Sequence, residues 1–318
     1  MPGRIVEITQ DGRSVHLDRG FLVVREAVKG GPSNEVGRIP ITDIDAVIAS
    51  THGIMWSNAA LAALANQNTP VVILAHNYAP AAAILPISGH HAQGHRFEAQ
   101  ANATRPMGKR LWAELVKAKI MAQAAVAATL GLDAERLNRL AKSVRSGDPD
   151  NAEAQAAQYY WPLVMGHGFK RERDLPGVNG MLNYGYAILR AASARAIVAA
   201  GLHPSLGIHH KSGGDALRLA DDIMEPFRPA IDLLVIDLIR QGFDEITPEC
   251  KRALCSVIQS DFKTNSGMAP LSWVLVRLSQ SLVQNYTGES VGLDLPLSPL
   301  PQPHAANDQS GNETGDVA

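Results

Sequence analysis

The sequence predicts an α+β protein in which a small N-terminal β-rich domain precedes a larger all-α C-terminal domain. Over residues 1–85, short apolar runs rich in Val and Ile alternate with turn residues, which is typical of strands. Over residues 96–290, Ala, Leu and charged residues recur at helical spacing. Residues 86–95 contain Pro, Ser, Gly and three histidines, so we expect them to form a linker between the two domains.

The first domain is expected to hold the strands and one helix. The apolar, β-branched runs that predict strands cover residues 4–8, 15–17, 21–25, 38–41, 46–49, 70–74 and 82–85. Ser57 precedes an Ala- and Leu-rich stretch that continues to Ala65, and its hydroxyl is placed to cap a short helix.

The second domain is expected to contain about seven or eight helices. Glycine or proline interrupts the helical pattern near residues 131, 147, 162, 177, 201 and 242. Thr247 followed by Pro248 predicts a helix start, because Thr caps a helix well and Pro fits its first position.

The last segment, residues 291–318, is predicted to be a disordered tail. It contains four acids, no Lys or Arg, and four prolines between Pro296 and Pro303. We therefore expect that deletion of residues 296–318 leaves the fold unchanged.

Composition excludes several classes of protein. With 46% hydrophobic and 19% charged residues, the 318-residue chain has the balance of a globular protein. No run approaches the roughly 20 apolar residues that span a bilayer, and the first residues lack a signal peptide's apolar core. Two cysteines are too few for a disulfide framework or a four-cysteine zinc site. We therefore expect a cytoplasmic protein without a membrane partner.

Positive charge is concentrated in one stretch of the helical domain. Nine Lys or Arg residues and only three acids lie between Arg105 and Arg145. Such a stretch is either an ordinary solvated helix surface or a face that binds phosphates. Composition alone does not separate these two interpretations.

Three segments of the helical domain place polar residues among apolar ones. Glu153 is the only acid in an Ala-rich helix, where it either complements the helix dipole or has a cationic partner. His209 and His210 are adjacent in a glycine-containing loop, a pattern that more often reflects surface or packing histidines. Asp222 and Glu225 are three residues apart, so on a helix both carboxylates share one face and repel unless a cation separates them. Oxygen ligands with one imidazole suit Mg²⁺ or Mn²⁺.

Several motifs, in this order, resemble the CRISPR-associated integrase of spacer acquisition, the larger subunit of the adaptation complex. They are NAEAQAAQYYW at 151–161, LNYGYAILR at 182–190, AGLHPSLGIHH at 200–210 and DIMEPFRP at 222–229. The resemblance covers roughly residues 4–290. This version looks most like the one in type II systems, which accompany an RNA-guided effector nuclease.

The resemblance implies a metal site formed by Glu153, His210 and Glu225. The family's ligand histidine is the fourth residue of a Gly-x-x-His string, which selects His210 and leaves His209 where the family usually has an apolar residue. Asp222 matches a family acid beside the site and is expected to support a ligand.

Two basic residues next to these ligands, Lys211 and Arg228, are candidates for contacts near the scissile phosphate. Their simpler interpretation is as surface charges or as partners of Asp221 and Asp222.

The resemblance also implies a reaction and a set of partners. The 3′-hydroxyl of a short captured DNA would attack a phosphodiester in a CRISPR repeat, with Mg²⁺ or Mn²⁺ as the metal. With water as the nucleophile, the same site would act as an endonuclease. The implied partners are double-stranded DNA, a small second adaptation subunit, the effector nuclease and a second copy of the chain. The β-rich domain is expected to form most of the homodimer contact.

Two other functions remain open from the sequence. A non-catalytic DNA-binding homologue would use the same basic surface to clamp DNA. A helical metal-dependent phosphohydrolase of small nucleotides would need a compact substrate pocket, whereas the basic stretch favours a polymer.

Overall fold

The computed structural model describes residues 4–26, 34–87, 89–210 and 215–302. The elements of the first part are β1 (Arg4–Ile8), β2 (Arg13–Asp18), β3 (Phe21–Glu26), β4 (Glu35–Pro40), β5 (Ile44–Ala49), β6 (Met55–Trp56), α1 (Asn58–Asn66), β7 (Val71–Leu74) and β8 (Pro80–Ile84). The elements of the second part are α2 (Gln93–Ala101), α3 (Arg105–Thr129), α4 (Glu135–Ser143), α5 (Ala152–Met165), α6 (Val178–Ala199), α7 (Arg218–Met224), α8 (Arg228–Arg240), α9 (Pro248–Cys255), β9 (Asp261–Thr264), β10 (Gly267–Pro270) and α10 (Leu271–Thr287).

The first part contains two four-stranded sheets. One has the order β1-β5-β7-β8, with β1, β5 and β7 parallel and β8 antiparallel to β7. The other has the order β4-β3-β2-β6 and is antiparallel except for the β2–β6 pair. The predicted Ser57 cap is present, since the Ser57 hydroxyl accepts a hydrogen bond from the backbone of Ala60.

Strand β5 joins the two parts of the molecule because both of its faces are buried. Successive side chains of a strand point to opposite faces. Val47 therefore packs in the apolar cluster of the first part, whereas Ala46 and Ile48, on the opposite face, belong to the core of the helical part. The two predicted domains thus share one continuous apolar boundary.

Helix α6 lies at the centre of the helical part. Eighteen of its 22 residues are buried, as expected for a helix that is surrounded on all sides. Gly185 allows α8 to approach closely, because a Cβ atom at this position would lie 2.4 Å from a side-chain carbon of Ile231. Helix α6 can therefore fix the positions of the loops and helices that border it.

The prediction of an all-α second domain is wrong at one place, the antiparallel hairpin of β9 and β10. Asn265 and Ser266 form its turn, and Gly267 has a positive φ of 109°. Phe262 on β9 is fully buried, so the hairpin contributes to the core of the helical part.

The predicted disorder of the tail is wrong for residues 291–302. The backbone N–H of Leu297 donates to the Lys263 carbonyl at 2.7 Å, and that of Gln302 donates to the Asp261 carbonyl at 2.8 Å. Leu300 is only 7% exposed. Leu293, Leu295 and Leu300 pack on the helical core, which the proline-rich composition does not reveal. Residues 303–318 lie outside the described residues.

Within the described ranges, no helix combines the length and the apolar character that crossing a membrane requires.

Candidate active site

The three predicted metal ligands lie on three different elements. Glu153 is the second residue of α5, His210 lies in the loop after α6, and Glu225 begins the 3₁₀ turn (Glu225–Phe227) that connects α7 to α8. The start of α5 is held by Asp148, whose carboxylate accepts hydrogen bonds from the backbone N–H groups of Ala152 and Glu153 at 2.8 and 3.0 Å. Glu153 is therefore oriented by a fixed helix N-terminus.

Lys119 of α3 connects two of these ligands. Its Nζ atom lies 2.6 Å from Oε1 of Glu153 and 2.6 Å from Oε2 of Glu225. The two carboxylate oxygens are therefore at most twice 2.6 Å apart, although 72 residues separate them in the chain. Burial opposes the charge of the Lys119 ammonium, but Glu225 and Glu153 outweigh that effect and raise its pKa.

Glu225 is a buried carboxylate with two cationic partners. Its side chain is 4% exposed, and Nε of Arg228 lies 3.0 Å from Oε1. Burial alone would raise the pKa of Glu225, but Arg228 and Lys119 outweigh it and leave the pKa lowered. Glu225 is thus ionised, and Arg228 lies inside the protein against it instead of on the surface.

Asp222 organises the loop that carries the two histidines. Its fully buried carboxylate accepts backbone hydrogen bonds from Ile208, His209 and His210 at 2.6–3.2 Å. Nδ1 of His210 lies 2.6 Å from the same carboxylate, and this hydrogen bond is the main reason that the pKa of His210 is raised. A carboxylate behind an imidazole fixes the orientation of the ring and leaves Nε2 available.

Gly207 and His209 show why the loop has this sequence. A Cβ atom at position 207 would lie 2.9 Å from Oδ2 of Asp222, so the backbone approaches the carboxylate too closely for a side chain. The His209 ring stacks flat on Trp112, with centroids 4.1 Å apart and planes 4° apart. His209 therefore packs as an aromatic residue, which explains how a histidine occupies a position that is usually apolar.

The sequence does not single out Lys119. It predicts Arg228 as a contact near the scissile phosphate or a partner of nearby aspartates, whereas in the structure Arg228 pairs with Glu225. Lys119 was counted only within the basic stretch, yet it is three, four and seven residues after Val116, Leu115 and Trp112, all of which are buried. That spacing is the signature of a buried helix face, and it was the signal for an internal lysine. Lys211 lies outside the described residues.

The donor groups have the chemistry of a divalent-cation site. Among the described residues, no three His, Cys, Asp or Glu side chains converge closely enough to hold a metal ion, and the Lys119 ammonium contacts both carboxylates. These carboxylates nevertheless already share one cation, and the imidazole of His210 is oriented by Asp222. Two carboxylates and one imidazole form a ligand set that suits Mg²⁺ or Mn²⁺.

The basic stretch forms an exposed surface beside α5. It lies on α3, α4 and the loop after α4, and α4 packs against α5. Seven of its nine basic side chains are exposed: Arg105, Lys109, Lys117, Arg136, Arg139, Lys142 and Arg145. The other two, Arg110 and Lys119, point inward to Asn285 and to the two glutamates.

Comparison with known proteins identifies the family. The profile of the family "CRISPR associated protein Cas1" matches residues 6–248. The chain belongs to the Cas1 family. The Cas1-family relative from Neisseria meningitidis serogroup C (strain 8013), the CRISPR-associated endonuclease Cas1, is 37% identical over 255 residues, which are 79% of this chain and 82% of the relative.

Two solved structures share the Cas1 fold of this chain. A casposase bound to an integration product has a TM-score of 0.76 and 23% identity, covering 92% of both chains. A Cas6-RT-Cas1–Cas2 complex has a TM-score of 0.71 and 19% identity, covering 91% of this chain and 35% of that one. At these identities the likeness concerns the fold alone.

Proposed function

We propose that this chain is a divalent-metal-dependent DNA endonuclease and integrase of CRISPR adaptation, which joins the 3′ end of a short captured DNA to a phosphodiester in a CRISPR repeat. Membership in the Cas1 family supports the endonuclease activity and its role in CRISPR adaptation. The observation that carries the chemistry is the pair of carboxylates, Glu153 and Glu225, that share a single cation, together with the His210 imidazole that Asp222 orients.

Glu153, His210 and Glu225 are the residues that would hold Mg²⁺ or Mn²⁺. When bound, such an ion lowers the pKa of a coordinated hydroxyl and neutralises charge on phosphate oxygens. Asp222 keeps the Nε2 atom of His210 turned away from its own carboxylate. Arg228 keeps Glu225 ionised, so that this carboxylate is ready to accept a cation.

DNA would be held by the exposed basic side chains of α3 and α4. Of these, Arg139 and Arg145 pair with acids, and Arg136 lies over the Tyr159 ring. The remaining four, Arg105, Lys109, Lys117 and Lys142, have no ion-pair partner in the described part of the chain and are free to contact phosphates. Such contacts position a duplex without reading its sequence.

The proposed partners follow from the related proteins. The solved casposase is bound to an integration product, and a Cas1 chain is assembled with Cas2 in the Cas6-RT-Cas1–Cas2 complex. We extend this to double-stranded DNA and a small Cas2-like subunit for this chain. The homodimer through the β-rich domain, the type II setting and contact with the effector nuclease stay predictions of the sequence resemblance.

Neither rival function explains the site as well. A mononucleotide phosphohydrolase needs a pocket of roughly 300 Å³ or more, whereas the cavity lined by Arg228 measures about 140 Å³. Glu225 is a charged carboxylate with a side chain only 4% exposed, and two internal cations, Lys119 and Arg228, are needed to keep it ionised. A non-catalytic DNA clamp would not require such a costly buried charge.

The test is integration of a labelled prespacer into a repeat-containing plasmid with Mg²⁺ or Mn²⁺. We expect Glu153→Gln to lower strand transfer by at least about 100-fold and to weaken Mn²⁺ binding, because a ligand is lost. Glu135→Gln is the matched control, since Glu135 is 78% exposed on α4 and pairs with the exposed Arg139. Near-normal integration by Glu153→Gln would show that the proposed metal site is wrong.

A further inference from the structure

A second cluster of functional groups lies around the guanidinium group of Arg228. A cavity of about 140 Å³ is bordered by four guanidinium groups, those of Arg171, Arg173, Arg190 and Arg228. We call it the arginine cavity. The motif at 182–190, which the metal site does not use, contributes Asn183, Tyr186 and Arg190 to its wall.

The charges of the arginine cavity are only partly neutralised. Arg190 forms ion pairs with Asp215 and Asp221, and Arg228 pairs with Glu225. Arg171 instead donates to the neutral amide oxygens of Asn179 and Asn183, at 2.9 and 2.8 Å.

The fourth guanidinium, that of Arg173, has neither an ion pair nor a hydrogen bond within residues 4–26, 34–87, 89–210 and 215–302. Two positive charges, on Arg171 and Arg173, therefore face the cavity without a carboxylate partner.

Hydrogen bonds hold the loop that carries these two arginines. The amide of Asn183, which is 4% exposed, donates to the carbonyl oxygens of Arg173 and Asn77 at 2.7 and 2.9 Å. The amide of Asn179 donates to the carbonyl of Lys170 at 3.0 Å. The loop is thus fixed to α6 and to the first domain before any ligand arrives.

Tyr186 brings two of the guanidinium groups together. The centres of the Arg228 and Arg171 guanidinium groups lie 4.7 and 5.3 Å from the centroid of the Tyr186 ring. Burial and the charge of Arg228 both lower the pKa of the Arg171 guanidinium, so the protein holds this positive charge at a cost. An anion in the cavity would relieve both effects, because planar guanidinium groups bind phosphate oxygens in pairs.

We propose that the arginine cavity binds a phosphate group of a DNA strand through Arg171 and Arg173, beside the metal site with which it shares Arg228. The proposal rests on the proposed function only for the source of the phosphate. A volume of about 140 Å³ accommodates a phosphate group but not a whole nucleotide. The cavity would then hold the strand one phosphate or more away from the reacting one.

The test measures the binding of a labelled single-stranded oligonucleotide by anisotropy, in EDTA and at several salt concentrations. We expect Arg173→Ala to weaken binding by about tenfold, as for one lost charge-assisted contact. The slope of log affinity against log salt should shrink by about 0.7. Arg173 is exposed, so its replacement should not disturb folding. Arg171→Gln tests the second guanidinium, and Arg240→Ala, at the far end of α8, is the matched control.

A second arm distinguishes the DNA phosphate from free phosphate. Thermal stabilisation by inorganic phosphate is measured for the same variants. If Arg173→Ala and Arg171→Gln bind the oligonucleotide with unchanged affinity and salt slope, the proposal is overturned, even if phosphate stabilisation is lost. The oligonucleotide arm contains EDTA, so its result does not depend on metal binding at Glu153, His210 and Glu225. Oligonucleotide binding by the cavity variants and strand transfer by Glu153→Gln are therefore separate readouts. Either proposal can be contradicted while the other stands.

Discussion

Lys119 places a positive charge where the two carboxylates of the candidate site would otherwise repel each other. Its side chain is 13% exposed and touches both Glu153 and Glu225. A buried carboxylate without a counter-charge costs several kcal/mol, so the metal-free protein depends on this ammonium. A divalent ion at the same carboxylates would take over that role.

We expect Lys119→Met to lower the free energy of unfolding of the metal-free protein by about 2–4 kcal/mol, because Glu225 then keeps only Arg228. Saturating Mn²⁺ should raise the melting temperature of this variant more than that of the wild type, since the ion replaces the missing charge. Lys117→Met, which changes an exposed residue of the same helix, is the control. Equal shifts with Mn²⁺ in both proteins would contradict the replacement of Lys119 by metal.

Asp232 is another buried acid, and its hydrogen-bond partners are hydroxyl groups. Tyr160 donates to Oδ2 at 3.0 Å and Tyr186 donates to Oδ1 at 2.5 Å. Burial raises the pKa of Asp232 from 3.8 to about 6, against the opposing effect of these hydrogen bonds. The folded protein therefore keeps the proton to a higher pH than the unfolded chain does. The stability contributed by this proton is complete below pH 3.8 and is lost as the pH rises through about 6.

Asp232→Asn should remove this pH dependence. As the pH rises from 4.5 to 7.5, the unfolding free energy of the variant should gain about 2 kcal/mol relative to the wild type. Urea unfolding at several pH values measures this difference. Asp237→Asn, at an exposed position of the same helix, should follow the wild type. A constant difference between Asp232→Asn and the wild type would mean that Asp232 does not titrate in this range.

The sequence predicted which residues belong to the candidate site, but not which side chains contact them. Glu153, His210 and Glu225 stand in recognisable motifs. The roles of Lys119 and Arg171 depend on which side chains meet across α3, α5 and α6. Such contacts between distant segments leave no local pattern, so residue spacing reveals burial but not the partner.

At the scale of elements, strand β9 is held from both sides. It pairs with β10, and residues 297–302 lie along its other edge through the hydrogen bonds at Lys263 and Asp261. The hairpin was missed because each strand has only four residues, too few for alternation to stand out. The packed segment at residues 297–302 was missed because a proline-rich composition is typical both of a disordered tail and of an extended segment that packs leucines on the core.

Two truncations separate the packed segment from the rest of the tail. Deletion of residues 296–318 should lower the free energy of unfolding by about 2 kcal/mol or more, because it exposes the site of Leu300 and one edge of β9. Deletion of residues 303–318 removes only chain outside the described residues and is the control. Chemical unfolding curves of both proteins decide this. If the two truncations were equally stable, the contacts of residues 296–302 would contribute nothing.

At the scale of the whole molecule, the β-rich part and the helical part are joined more firmly than two domains on a linker. Besides the apolar contacts of β5 with α6, the ion pairs Arg195–Asp45 and Lys251–Glu7 cross the boundary at 2.8 and 2.7 Å. Composition predicted the change from strands to helices, but not that both sides share a core.

We therefore expect calorimetry of the full chain to show a single unfolding transition. Opening the boundary would expose the buried face of β5 and the part of α6 that packs on it, so neither part should be stable alone. Replacing Asp45 by Asn should lower the temperature of this one transition without splitting it. Two separate transitions in the wild type would show that the parts unfold independently.

Because His209 stacks flat on Trp112, the fluorescence of Trp112 should report the position of the loop that carries His209. An imidazole in contact with an indole quenches its emission, and the protonated ring quenches more strongly. The chain has four tryptophans. Among the described residues, Trp112 is the one that stacks on a histidine beside the candidate ligands. Any movement of this loop, whether caused by a cation at His210 or by DNA, would therefore change the light that the unlabelled protein emits.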